Sequence, residues 1–84
     1  MAFKYRSRTD IAATILRNSI EPTIKTKIMY KAFLSSTQLH EYLDMLTAKN
    51  LLRFDKEMGT YVTTTKGSNF LATYRTLEPL AIKR

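Results

Sequence analysis

The stretch from Lys25 to Asn50, KTKIMYKAFLSSTQLHEYLDMLTAKN, constrains this chain most. It holds two helical patterns separated only by Leu34-Ser35-Ser36. So short a polar break forces the two helices to cross steeply over a turn of a few residues, the layout of a helix-turn-helix. Ser35 or Ser36 is suited to cap the second helix, because a serine oxygen accepts from an unpaired N–H of the first turn. Leu39, Tyr42, Leu43 and Leu46 then recur at helical spacing on one side. Thr37, Glu41, Asp44 and Ala48 fall opposite, with Gln38 and His40 on the flanks. One face can be buried while the first turn displays small hydrogen-bonding side chains, which a helix that reads base edges needs. Most amphipathic helices read nothing, so the rest of the chain must decide.

A chain of 84 residues predicts one domain over 1–84. Its single core would bury roughly 60–65% of the unfolded surface, and a second copy would add to that. The absence of cysteine excludes disulfides and thiolate metal sites and suits a reducing cytoplasm. No apolar run approaches the roughly 20 residues of a membrane span. The basic start, MAFKYRSR, lacks the apolar centre of a signal peptide. Fourteen Lys and Arg against seven Asp and Glu give a net charge of +7. That excess favours polyanions, either nucleic acid or an acidic membrane surface, over a merely basic soluble protein. It is unevenly spread: residues 1–34 carry +5, residues 35–64 carry −1 and residues 65–84 carry +3. The stretch that would read bases is thus the least basic.

The remaining elements follow from local signals. Ser7-Arg8-Thr9-Asp10 reads as a capping box opening a helix over 7–18, with Ile11, Ala12, Ile15 and Leu16 as its buried stripe and Arg8 and Arg17 in solvent. Glu21-Pro22-Thr23 breaks the pattern, and Thr23-Ile24-Lys25 suits a short extended segment. Thr26 is expected to cap a helix over 27–33 that turns Ile28, Met29, Ala32 and Phe33 inward. Lys27 and Lys31 then share an outer face, either simply solvated or placed for phosphates; the adjoining helix-turn-helix favours the second. The reading helix spans 36–49, stopped near Asn50, a residue that tolerates left-handed backbone. A hairpin over 51–64 follows, with Lys56-Glu57-Met58-Gly59 at its tip. Thr64 or Thr65 opens a last helix over 65–78, whose wide face carries Gly67, Phe70, Leu71, Tyr74 and Leu77, and Pro79 is expected to end it. The predicted fold is mainly α with a small β-hairpin: a winged helix-turn-helix with an additional C-terminal helix.

Several stretches also resemble a known group. They are Arg6-Ser7-Arg8, Thr26-Lys27-Ile28-Met29-Tyr30-Lys31-Ala32 with Leu34-Ser35, then Leu39, Tyr42-Leu43, Leu46 and Leu51-Leu52, and finally Tyr61-Val62-Thr63-Thr64-Thr65-Lys66-Gly67 with Phe70-Leu71 and Tyr74. Residues about 6–78 are similar to the small archaeal winged helix-turn-helix proteins, which include dimeric chromatin-associated proteins of Sulfolobales and predicted transcription regulators. The TxKG element recurs in many winged-helix families; the IMYKA-x-L-S stretch is more specific. The resemblance implies a homodimer binding double-stranded DNA, specifically or architecturally, with Phe70, Tyr74 and Leu77 on the face where the last helix meets its symmetry mate. An expected stop at Pro79 would rule out a long coiled coil and leave a compact helix pair, completed by Leu80, Ile82, Phe3 and Tyr5.

For DNA contacts the sequence points to Ser36, Thr37, Gln38 and His40 at the front of the reading helix. Glu41 could accept from cytosine N4, or pair with a lysine and face away. Lys27, Lys31, Arg53, Lys56 and the basic N-terminal arm would supply phosphate contacts. His40 is the only histidine, and no nucleophile–base pair, Gly-rich phosphate loop or ligand cluster is present, so neither catalysis nor a cofactor is expected. The strongest rival is a protein-docking module, since fold does not dictate function. RNA binding lacks an aromatic platform and membrane binding lacks an amphipathic anchor. The expectation is a cytoplasmic, nucleoid-associated regulator.

Overall fold

The computed structural model describes residues 7–82, with side chains as far as Arg75. Helix α1 spans Arg8–Arg17. Its start is the expected capping box: the Asp10 N–H donates to Ser7 Oγ at 3.0 Å, and the Ser7 N–H donates back to the Asp10 carboxylate at 3.2 Å. Ala12, Ala13, Ile15 and Leu16 are buried. Arg8 does not simply point into solvent; its guanidinium lies over the Tyr42 ring, 5.2 Å from the centroid. The buried Ser19 hydroxyl donates to the Ile15 carbonyl at 2.8 Å, and its own carbonyl accepts from the Thr63 N–H at 2.7 Å. Thr63 returns a hydroxyl bond to the Leu16 carbonyl at 2.7 Å, so the end of α1 is tied to the hairpin.

Helix α2 spans Lys25–Ala32 and begins earlier than its sequence suggests. Thr23 and Tyr61 exchange both main-chain hydrogen bonds, at 2.9 and 2.8 Å, which fixes the preceding segment as a third extended strip against the hairpin. Extended Ile24 is then the N-cap, and its carbonyl accepts from the Lys27 and Ile28 N–H groups without any side-chain cap. Thr26 therefore sits inside the helix, not at its cap. Phe33 corrects a second expectation. It adopts left-handed backbone with φ 55° and is 82% exposed. Turning the chain that sharply swings Phe33 outward, and Leu34 takes the buried place instead.

Helix α3 spans Ser36–Ala48. Ser35 is its N-cap, with a second reciprocal box: Ser35 Oγ accepts from the Gln38 N–H at 3.2 Å and Gln38 Oε1 accepts from the Ser35 N–H at 3.0 Å. Lys49 closes the helix and Asn50 follows in left-handed backbone with φ 61°. Strands β1 (Leu52–Asp55) and β2 (Thr60–Thr63) pair antiparallel, Leu52 opposite Thr63 and Asp55 opposite Thr60. At the tip Asp55 Oδ1 accepts from the N–H groups of Glu57 and Met58, and Gly59 takes φ 66°.

Helix α4 spans Thr65–Ile82, so Pro79 does not end it. A proline ring holds φ at a helical value, and this close to the helix end its missing N–H removes a single bond. The 18 residues reach about 27 Å at 1.5 Å per residue. Thr64 opens the helix: its hydroxyl accepts from the Gly67 N–H at 3.0 Å and donates to the Asn50 carbonyl at 2.7 Å. Gly67 is buried against the Leu51 carbonyl, where a β-carbon would also come within 2.6 Å of Thr63 Cγ2. Ile15, Leu16, Ile28, Leu39, Leu43, Leu46 and Leu52 form the centre of the core, and Phe70 and Leu71 of α4 pack on its side.

Candidate nucleic-acid interface

The site is built outward from α3. Burial of Leu39, Tyr42, Leu43 and Leu46 fixes the rotation of the helix, so Thr37, Glu41, Asp44 and Ala48 must run along its outermost stripe. Ser36, Thr37, Gln38, His40 and Glu41 are all exposed and contiguous. The capping box engages Gln38 Oε1 with the Ser35 N–H, which leaves the Gln38 side-chain NH₂ as the group free to reach outward. His40 Nδ1 faces the Ser36 carbonyl at 3.1 Å and therefore carries the ring hydrogen. Its Nε2 then accepts from the Lys25 ammonium at 3.4 Å.

Lys25 is the residue that sequence reasoning missed. It lies fifteen positions from His40, and an expected helix start at residue 27 left it in a connecting segment. Only the early start of α2 carries its side chain to α3. Lys27 and Lys31 are exposed but lie elsewhere: with Asn18, Glu21, Pro22 and Thr23 they line a shallow groove between the end of α1 and α2.

The hairpin also flanks α3. Leu43, Asp44, Thr47, Arg53, Phe54 and Tyr61 line an open cleft of about 410 Å³ between them. The rings of Phe54 and Tyr61 meet at 4.7 Å between centroids. Burial pushes the Tyr61 phenol above its ordinary pKa, and the Asp44 carboxylate adds to that shift. Arg53 stands on this cleft, while Lys56 lies on the exposed tip. The structure thus gathers Ser36, Thr37, Gln38, His40, Glu41 and Arg53 around α3, sets Lys56 at the far end of the hairpin, and leaves Lys27 and Lys31 beside α1.

On α4, Phe70 and Tyr74 are half-buried and their rings stack with centroids 6.2 Å apart. The Leu77, Leu80 and Ile82 side chains, and Phe3 and Tyr5 with the N-terminal arm, fall outside the described residues.

A helix pair across a tight turn, followed by a two-stranded hairpin, is a winged helix-turn-helix arrangement, and a family model for the winged helix-turn-helix matches residues 5–81. The chain belongs to the winged helix-turn-helix family. In this fold α3 is the second helix of the helix-turn-helix and β1–β2 the wing. Among solved structures the chain is similar to Sso10a-2, a DNA-binding protein from Sulfolobus solfataricus. The two superpose with a TM-score of 0.82 at 24% identity, over 90% of this chain and 82% of the other, a likeness of fold. No curated protein matches in sequence. Among the described residues no helix is long and apolar enough to cross a membrane, and no group of three or more His, Asp or Glu could hold a metal ion.

Proposed function

We propose that the chain is a non-enzymatic, double-stranded DNA-binding protein, a homodimeric transcription regulator that lays α3 in the major groove and its wing on the adjoining backbone. The observation that carries this reading is the exposed polar first turn of α3, locked by the Ser35–Gln38 box, with Arg53 of the wing on the cleft beside Asp44 and Thr47 further along the same helix. Ser36, Thr37, Gln38, His40 and Glu41 meet base edges or neighbouring phosphates. Lys25, Arg53 and Lys56 meet phosphates, and Lys27 and Lys31 supply a further cationic edge. The net charge of +7 and the fold shared with a DNA-binding protein support it.

In this reading α4 forms the dimer contact through Phe70, Tyr74 and Leu77. Its 18-residue length supports a longer helix pair than a stop at Pro79 would permit. Two recognition helices would then enter successive major-groove faces about 34 Å apart. Such a protein works in the cytoplasm on the nucleoid.

Titration against random-sequence duplex by fluorescence anisotropy, at several salt concentrations, tests this. If about four cations per subunit reach phosphates, log K falls against log salt with a slope of roughly −7 for the dimer. A slope near zero removes the phosphate-contact account. One observation favours a second reading: the acidic stripe of Glu41 and Asp44 suits a basic protein partner, and such a docking module would not bind duplex even at low salt.

A further inference from the structure

We propose that Glu41 and Asp44 make the outer stripe of α3 a selector for cytosine at two neighbouring base pairs. The inference rests on the DNA-binding reading above and names what that face selects. Both side chains are exposed on the stripe opposite the buried leucines, and α3 contains no lysine or arginine. Among the described residues neither carboxylate has a hydrogen-bond or ion-pair partner. A lysine paired with Glu41 would have cancelled its charge and turned it aside; none does. Two carboxylates without a pairing cation therefore stand on the outer stripe of α3, Asp44 also lining the cleft that Arg53 and Tyr61 share.

An ionised carboxylate only accepts hydrogen bonds. On the major-groove floor guanine offers two acceptors, thymine an acceptor and a methyl group, and adenine an amino group with the N7 acceptor beside it. Cytosine offers its N4 amino group with no acceptor beside it. Against any other edge on the contacted strand, a carboxylate is desolvated without full repayment, and the flanking phosphates repel it. The pair therefore lowers affinity for most sequences and spares those with cytosine in reach. Residues three apart on a helix are separated by about 4.5 Å along its axis, close to the roughly 3.4 Å step between bases, so the two acids address adjacent pairs. The hydrogen-bonding first turn on the same helix favours DNA over a protein as what this stripe meets.

In vitro selection from a randomised duplex pool, using the full chain and its Glu41→Gln and Asp44→Asn variants, tests the inference. Anisotropy on the selected sites and on random duplex follows, with thermal melting by circular dichroism to show that the isosteric exposed changes leave the fold intact. The wild-type chain should select cytosine at two adjacent positions of one strand. Each variant should lose that preference at one position by about tenfold and move it towards adenine, which an amide binds at two points. Each should also bind random duplex several-fold more tightly. A wild-type site without the cytosine pair, or unchanged preferences in both variants, overturns this inference and leaves DNA binding standing. Failure of the wild-type chain to bind any duplex at low salt overturns both and turns the stripe into a protein-docking face.

Discussion

The Tyr74 hydroxyl on α4 donates to the Asp10 carboxylate on α1, the same carboxylate that closes the α1 capping box. One side chain thus holds the start of the first helix and the middle of the last. The Tyr74 hydrogen bond holds the Asp10 carboxyl below its ordinary value of 3.8; partial burial opposes the shift and the bonds from Ser7 assist it. A carboxyl whose folded pKa is lowered adds stability that is complete above the unfolded pKa and disappears as pH falls through the folded one. Tyr74→Phe should therefore cost about 1 kcal/mol at neutral pH. The difference from wild type should shrink towards zero as pH falls below that range, measured by urea unfolding across pH. An equal cost at all pH values would show that the ring, not the hydroxyl, does the holding.

Gln38 has two duties that one substitution separates. Glu at this position keeps the acceptor for the Ser35 N–H and adds a negative charge near the helix start, so Gln38→Glu should leave stability unchanged or raise it by up to about 0.5 kcal/mol. It also deletes the outward NH₂ group, and duplex affinity should fall about tenfold or more. Ser35→Ala should instead cost about 1 kcal/mol of stability.

The two glycines fail for different reasons when replaced. Gly59→Ala meets open space and suffers only from the left-handed backbone, a cost of about 1–2 kcal/mol. Gly67→Ala drives a β-carbon into the Leu51 carbonyl, which cannot move without shifting the start of the wing. Its cost should be about 3 kcal/mol or more, read as the larger drop in thermal midpoint.

Lysines on α2 should not be equivalent. Lys25 reaches α3 through His40, whereas Lys27 and Lys31 line the groove beside α1. Lys25→Ala should lower the salt slope by about one per subunit. The Lys27→Ala/Lys31→Ala pair should lower it by no more than Lys25 alone if DNA follows α3 and the wing, and by about two per subunit if the backbone runs over α2.

What could be read from the chain was local. Ser7–Asp10 is a helix start legible in four letters, and the leucines of α3 give its buried face because helical periodicity is a property of adjacent sequence. A threonine cap at Thr64 or Thr65 and the Gly59 turn are legible for the same reason, and the structure uses Thr64. What failed depended on partners far along the chain. The start of α2 is set by Thr23 pairing with Tyr61, which makes Ile24 the cap although isoleucine has no capping oxygen. The helical pattern sets Phe33 inside with Ile28, Met29 and Ala32, yet the turn needs left-handed backbone there and Leu34 fills the core. Pro79 carries a strong local stop signal that α4 overrides. The polar front of α3 could be picked out by its composition, but Lys25 could not, because no short-range signal ties it to His40.

The most direct test of the account is an amide NMR titration of the chain with a short duplex at low salt. If α3 and the wing hold DNA, the largest shifts fall on Ser36 to Glu41 and on Arg53 to Lys56, with Lys25 moving alongside His40 and the α1 amides of Ala12 to Leu16 nearly still. Shifts confined to α4, or none at all, would contradict the assignment of the recognition helix as the DNA-binding surface.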